Sequence, residues 1–282
     1  MTIRFSKMHG IGNDYVYVDC TRETIPDPAA FSRFVSDRHF GVGSDGLILI
    51  LPSVRADFLM RIFNADGSEG MMCGNGIRCV GKYVYDQGLT AKTHLTVETL
   101  SGVKSLTLFP ENGKVARVTV DMGPAILRPA EIPVAAEGET FVSRPVEVGG
   151  STYAVTCVSM GNPHAVVFCD DVKSLELPVL GPKFEHHPLF PNRVNTEFVK
   201  VLGENELEMR VWERGSGETF ACGTGSCASV VASVLNGFCR RDEDVTVHLL
   251  GGSLTDRWRA DGTVLMTGPA AHVFNGVIDY DF

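Results

Sequence analysis

The sequence predicts an α+β fold of two pseudo-symmetric domains, each a mixed, barrel-like β-sheet wrapped around a central helix. Three observations lead there. A thiol-bearing turn occurs twice, at a constant offset of 149 residues from Cys73 to Cys222. Arg61-Ile62-Phe63-Asn64 runs on to Cys73-Gly74-Asn75-Gly76, and Arg210-Val211-Trp212-Glu213 runs on to Cys222-Gly223-Thr224-Gly225. Most other apolar segments are short and strand-sized, such as Leu47 to Leu51. Each cysteine is followed by a helix-like stretch, and the second of these is small and apolar on every face, as in a helix packed closely on several sides. A sheet curled around such a helix accounts for that better than a doubly wound sheet.

In chain order, Gly12-Asn13 precedes the apolar strand Tyr15-Val16-Tyr17-Val18. An amphipathic helix fits Pro28 to Arg38 and leads into Gly41-Val42-Gly43. The strand Phe58 to Phe63 enters a loop with Gly67-Ser68. Beyond Cys73, Ile77, Val80, Tyr83 and Val84 fall at helical spacing, and the run stops at Gly88. The offset then regenerates this series: Gly161-Asn162 before Ala165-Val166-Val167-Phe168, the strand Leu207 to Trp212, and a helix from Ser226 to Leu235 that stops at Asn236-Gly237. Gly102 falls on Gly251 and Gly113 on Gly262, while Gly123-Pro124-Ala125 meets Gly268-Pro269-Ala270 at a slightly shorter offset. Repetition of this kind marks an internal duplication. The joint is expected near Asp121 to Pro129, with residues 1–122, completed by 269–282, as one half and 123–268 as the other.

A chain of 282 residues suits two domains of about 140 residues each. Hydrophobic content of 44% against 21% charged residues indicates a well-cored globular protein. A formal net charge of −9 argues against nucleic acid or an anionic membrane as partner, but not against an anionic small molecule bound at a local site. The first twenty residues hold Arg4, Lys7, His9 and Asp14 and lack the apolar core of a signal peptide, so the eight cysteines are expected as free thiols in a reducing cytoplasm. None forms a C-x-x-C pair, which disfavours zinc-knuckle and thioredoxin-type sites. His186-His187 lacks a third ligand at useful spacing and reads as a solvated loop before Pro188.

A cysteine at a helix start meets unpaired backbone N–H groups and the positive end of the helix dipole, both of which favour a thiolate. The glycines that follow leave those amides uncovered for a carboxylate. Two such turns at one site would set one sulfur on each face of a substrate α-carbon, one thiolate taking the α-proton and the opposite thiol returning one. A lone cysteine beside glycines is more often a small buried residue. The duplication reverses that for Cys73 and Cys222, while Cys20, Cys79, Cys157, Cys169, Cys227 and Cys239 keep the packing role.

The chain resembles the diaminopimelate epimerases over nearly its whole length. The likeness rests on Lys7-Met8-His9-Gly10-Ile11-Gly12-Asn13-Asp14, Phe63-Asn64-Ala65-Asp66-Gly67-Ser68-Glu69, Cys73-Gly74-Asn75-Gly76-Ile77-Arg78-Cys79, Gly161-Asn162-Pro163-His164, Val194-Asn195-Thr196, Glu213-Arg214-Gly215 and Ala221-Cys222-Gly223-Thr224-Gly225. It implies an isomerase that needs no cofactor and no metal and interconverts LL- and meso-diaminopimelate for lysine and peptidoglycan synthesis. It also implies a homodimer whose two α+β domains close over a cleft. Cys73 and Cys222 carry over as the acid/base pair. Asn13, Asn64, Gly74, Asn75, Asn162, Asn195, Glu213, Arg214, Gly223 and Thr224 carry over as substrate binders. The assignment agrees with chemistry: Arg214 suits the distal carboxylate, Glu213 an ammonium, and amide side chains can serve either group. His164 is read as orienting its neighbours. Many relatives carry glutamine where this chain has Gly46, opposite Asn195 on the offset, so water or a backbone group is expected in that place.

The nearest rivals are a proline racemase, a hydroxyproline epimerase or a histidine racemase, which share the two-cysteine logic. A phenazine-type isomerase fits less well, because it uses a carboxylate in place of the first cysteine. From another class, Cys73 and Cys222 could form a regulatory disulfide in a redox sensor.

Overall fold

The computed structural model describes all 282 residues, and the chain divides into two compact units, Met1–Val120 with Thr267–Phe282, and Asp121–Met266. In the first unit, β1 (Thr2–Gly10) and β2 (Asn13–Asp19) form a hairpin closed by Ile11 and Gly12, both at positive φ. The chain's last strand, Ala271–Asp279, lies antiparallel on the other side of β1. Helix α1 (Pro28–Ser36) follows, N-capped by the Asp27 carboxylate, which accepts the Ala30 N–H at 2.9 Å. It ends two residues short of the expected Arg38, because Asp37 turns extended and its carboxylate takes the N–H groups of His39 and Phe40.

Strand β3 (Gly46–Leu51) runs parallel to β2, and β4 (Phe58–Asn64) runs antiparallel to β3. β3 reads as an unbroken apolar run because both its faces are covered. Leu47 and Leu49 pack with Phe31 and Val35 of α1. A two-residue strand, β5 (Glu69–Gly70), folds back on β4 before α2 (Gly74–Asp86). The sheet continues through β6 (His94–Thr99), β7 (Gly102–Glu111) and β8 (Lys114–Pro124). Helix α2 touches β1 and β2 and also β7, several strands away in the sheet, so the sheet wraps around it. The approach is close: a Cβ on Gly76 would meet Ile48 at 2.5 Å, and one on Gly81 would meet Leu106 and Leu108 at 2.9 Å.

The second unit repeats the plan. β9 (Arg144–Val148), β10 (Ser151–Ser159) and β11 (Pro163–Phe168) pair antiparallel in turn, β12 (Asn195–Gly203) is parallel to β11, and β13 (Glu206–Glu213) is antiparallel to β12. A short β14 (Gly217–Glu218) precedes α4 (Gly223–Leu235), and β15 (Val245–Leu249), β16 (Gly252–Trp258) and β17 (Thr263–Pro269) follow. Helix α4 touches β10, β11, β12, β15 and β16, which explains its small apolar faces. The sequence pattern misses α3 (Leu177–Glu185), which packs on β12, β13 and β14. Pro182 lies inside it and reads as a breaker, yet in nine residues it removes only the one bond that its N–H would give Pro178.

The two α+β units therefore share one element order, and their strand registers agree. Tyr15 pairs with Gly46 as His164 pairs with Asn195, and Leu47 pairs with Phe63 as Thr196 pairs with Trp212. A duplicated ion pair ties each β4-type strand to its short partner, Arg61 to Glu69 and Arg210 to Glu218, both at 2.7 Å. The registers part at the first hairpin, where Ile11-Gly12 is answered by the longer turn Met160-Gly161-Asn162.

Candidate active site

Cys73 and Cys222 are the N-cap residues of α2 and α4, helices of thirteen residues each. Each holds extended backbone angles, and each sulfur accepts the N–H of the third helical residue, Gly76 or Gly225, at 3.3 Å. Cysteine thus does here what serine or aspartate does at an ordinary N-cap, with its sulfur turned toward the helix start.

Around Cys73 the first unit gathers Asn13, Gly74 and Asn75. The Cys73 thiol donates to Asn13 Oδ1 at 3.3 Å. The orientation of that amide is set by Asp45, whose Oδ2 accepts Asn13 Nδ2 at 2.8 Å and the Asp14 N–H at 3.1 Å. Burial and the neighbouring Asp14 raise the Asp45 carboxyl. Asp14 is lowered despite its own burial, because Lys7 and Arg38 both pair with it. Asn75 is buried and its Oδ1 accepts from the fully buried Arg78, which also reaches Gly74 O and Pro269 O. Asn64 stands apart from this group, exposed at the end of β4 and bonded to Ser68 Oγ at 2.9 Å.

At Gly46 a Cβ would lie 2.1 Å from the Phe63 carbonyl oxygen and 2.9 Å from the Tyr15 ring. Backbone and the Tyr15 ring fill the place where a larger side chain would stand. Tyr15 occupies the position that His164 has in the other unit. Burial, then the nearby Cys73, raises its phenol well above the usual value.

Around Cys222 the second unit gathers Asn162, Glu213, Gly223 and Thr224. Thr224 Oγ1 lies 3.5 Å from the sulfur and accepts Asn162 Nδ2 at 3.3 Å. Burial, followed by the carboxylates of Glu213 and Glu197, pushes the Cys222 thiol well above the ordinary thiol value, and burial also raises Glu213. The expectation that a helix start lowers a thiol pKa therefore does not hold for Cys222: the Gly225 N–H and the Thr224 hydroxyl act in that direction, but desolvation outweighs them. Glu213 also accepts the Thr219 hydroxyl.

Asn195 and Arg214 form the neighbouring group. Asn195 is buried and its Oδ1 accepts the Arg214 backbone N–H at 2.8 Å, while the exposed guanidinium reaches Asn192 O at 2.9 Å. Glu185 of α3 steadies this loop through Trp212 Nε1 at 2.8 Å and the Gly215 N–H at 3.0 Å. Its burial would raise the carboxyl, but these donors hold it below the usual range. Sequence reasoning missed Asp45, Tyr15, Glu185, Thr219 and Glu197. Of these, Tyr15 was within reach by carrying the offset back from His164.

His186 closes α3, and both ring nitrogens of His187 are engaged, one by Glu147 O and one by the Leu189 N–H. No helix is long and apolar enough to cross a membrane.

The family model described as diaminopimelate epimerase matches residues 5–128 and 156–273. The chain belongs to the diaminopimelate epimerase family. It is 58% identical over 278 residues to the diaminopimelate epimerase of Acetivibrio thermocellus, across 98% of this chain and 99% of that one. It is also 58% identical over 285 residues to the diaminopimelate epimerase of Agathobacter rectalis, with 98% and 99% covered. Among solved structures, a hydroxyproline epimerase from Agrobacterium vitis with bound trans-4-hydroxy-L-proline superposes with a TM-score of 0.70 at 16% identity, covering 98% of this chain and 91% of that one. At that identity the likeness is one of fold. Family membership places the chain among the isomerases.

Proposed function

We propose that this chain interconverts LL- and meso-2,6-diaminopimelate by two-base proton transfer between Cys73 and Cys222, with no cofactor. The observation that carries this reading is the matched pair of cysteine N-caps, each with its sulfur on the N–H of the third helical residue. The chemistry requires both turns to serve one α-carbon. One cysteine, as thiolate, takes the α-proton, and the electrons of the broken C–H bond pass into the α-carbon and carboxylate. The other cysteine, as thiol, gives its proton to the opposite face, so the two sulfurs end the turnover with their protonation states exchanged.

The α-proton is a weak acid, so the growing enolate-like charge needs fixed donors, which the first-turn N–H groups at Gly74-Asn75 and Gly223-Thr224 would supply to the α-carboxylate. Asn13, Asn64, Asn162 and Asn195 orient carboxylate and ammonium, Glu213 faces an ammonium, and Arg214 takes the distal carboxylate. The raised Cys222 thiol suits it to enter turnover protonated, as the proton donor when Cys73 is the base. The division into halves 1–122 with 269–282 and 123–268, a cytoplasmic location, a homodimer, and a place in the reactions supplying lysine and peptidoglycan belong to the same reading.

The test is epimerisation in deuterium oxide with LL-diaminopimelate, L-proline and L-histidine in parallel. Deuterium at one α-carbon of diaminopimelate and none in the other two is expected. Turnover of proline or histidine instead would overturn the substrate assignment.

A further inference from the structure

Behind the Cys222 turn lies a buried pair that the proposed set of substrate-binding and catalytic residues does not use. His164 at the start of β11 and Glu197 on β12 are both fully buried, and His164 Nδ1 meets Glu197 Oε1 at 2.7 Å. The second carboxylate oxygen, Oε2, has no hydrogen-bond partner. The carboxylate presses on the first turn of α4, where a Cβ on Gly225 would come within 2.6 Å of Oε1. From the ring a chain of contacts leads to the sulfur. His164 Nε2 lies 3.1 Å from Asn162 Oδ1, Asn162 Nδ2 lies 3.3 Å from Thr224 Oγ1, and Thr224 Oγ1 lies 3.5 Å from Cys222 Sγ.

The proton count along this chain is constrained. An amide oxygen only accepts, so His164 Nε2 must carry a hydrogen to bond Asn162 Oδ1. The contact between Nδ1 and Oε1 needs a second proton. With Asn162 held this way, its NH₂ donates to Thr224, and the Thr224 hydroxyl keeps its own hydrogen for the sulfur. Take the second proton away, and the remaining one stays between Nδ1 and the carboxylate. Nε2 then becomes an acceptor, the amide turns over, and Asn162 Oδ1 claims the Thr224 hydrogen. The sulfur loses a donor at the moment it would carry negative charge.

We propose that Glu197 is a positioning residue that keeps His164 protonated on both nitrogens, and so fixes the Asn162 amide in the orientation that leaves the Thr224 hydroxyl donating to Cys222. The proposal rests on the assignment of Cys222 as an acid/base thiol. The Glu197 carboxylate also faces the titratable groups Glu213 on β13, Cys222 at α4 and Cys157 on β10, and at Glu213 the His164 ring opposes its charge. The first unit has no counterpart, since Tyr15 stands in the place of His164.

The experiment uses the full chain in four forms: wild type, Glu197→Gln, Thr224→Val and the double variant. Glu197→Gln is expected to lower kcat about tenfold or more with KM within about twofold, the size of one pKa unit at one thiol. The double variant is expected to lose no more than the worse single one, because both act through the same hydroxyl. Nitrogen-15 NMR of the His164 ring is expected to show both nitrogens protonated in the wild type and one in Glu197→Gln. Additive losses, an unchanged kcat in Glu197→Gln, or a singly protonated ring in the wild type would overturn the proposal. The wild-type ring signal decides even if Glu197→Gln fails to fold. A wild-type chain inactive on diaminopimelate would instead remove the functional reading and leave the ring signal to judge the Glu197 assignment.

Discussion

The Cys73 turn and the Cys222 turn are the same object in two surroundings. Both are cysteine N-caps of thirteen-residue helices, with matching backbone angles and sulfur contacts at the same distance. Around Cys73, which is half-buried, an amide oxygen faces the thiol, and an acidic cluster of Asp14 and Asp45 held by Lys7 and Arg38 fixes that amide. Around Cys222, a hydroxyl faces the sulfur, and burial, followed by two carboxylates, raises its thiol. The shared part is geometry imposed by the helix start. The differing part comes from side chains at matched positions, Asn75 against Thr224, Asn64 against Glu213, Ile48 against Glu197 and Tyr15 against His164. On the proposed reading, a reaction that runs from either face of one carbon uses the shared part, and a substrate with one reacting end and one distal end uses the difference.

Four substitutions would break or sharpen this comparison. Cys73→Ser and Cys222→Ser keep an N-cap oxygen and so should keep the fold, but each should lower epimerisation by about a thousandfold or more. Wild-type rates in either variant would remove that thiol from the chemistry. Arg214→Ala should raise KM for diaminopimelate by about tenfold to a hundredfold, the range of a charge-assisted contact, with a smaller effect on kcat. An unchanged KM would place recognition of the distal end elsewhere. The smallest effect concerns Cys79, which burial pushes up to about 11, and which has Ala228 opposite it in the second unit. A raised thiol contributes stability that is intact below its unfolded pKa and is lost as pH climbs through the folded value. Unfolding free energy should therefore decline from about pH 8.5 toward 11, and Cys79→Ala should flatten that decline, as read by denaturant titration at several pH values. An unaltered slope would mean that other groups govern the alkaline side.

Much of this was legible in the sequence because duplication makes the chain its own alignment. The offset from Cys73 to Cys222 aligns α2 with α4 residue for residue, and the same step pairs the β3-type and β4-type strands. It also carries the ion pair of Arg61 and Glu69 onto Arg210 and Glu218, a match that acquires meaning only from the pairing of the strands. What stayed hidden depends on contacts between strands that no local pattern records. Glu197 looks like an ordinary strand residue until the parallel register of β11 and β12 brings it beside His164. The Cys222 pKa went the other way from expectation because the helix start was visible in the sequence and the surrounding desolvation was not. Pro182 concealed α3, and with it the Glu185 anchor beneath the Arg214 loop.

The central claim is that two sulfurs exchange the hydrogen of one α-carbon. The most direct measurement follows diaminopimelate labelled with deuterium at its reacting α-carbon through a first turnover in ordinary water. The product is expected to carry hydrogen from solvent at the inverted centre, because the thiol that donates is not the one that accepted. Deuterium retained at that centre in the inverted product would point to a single base working on both faces and would contradict the account.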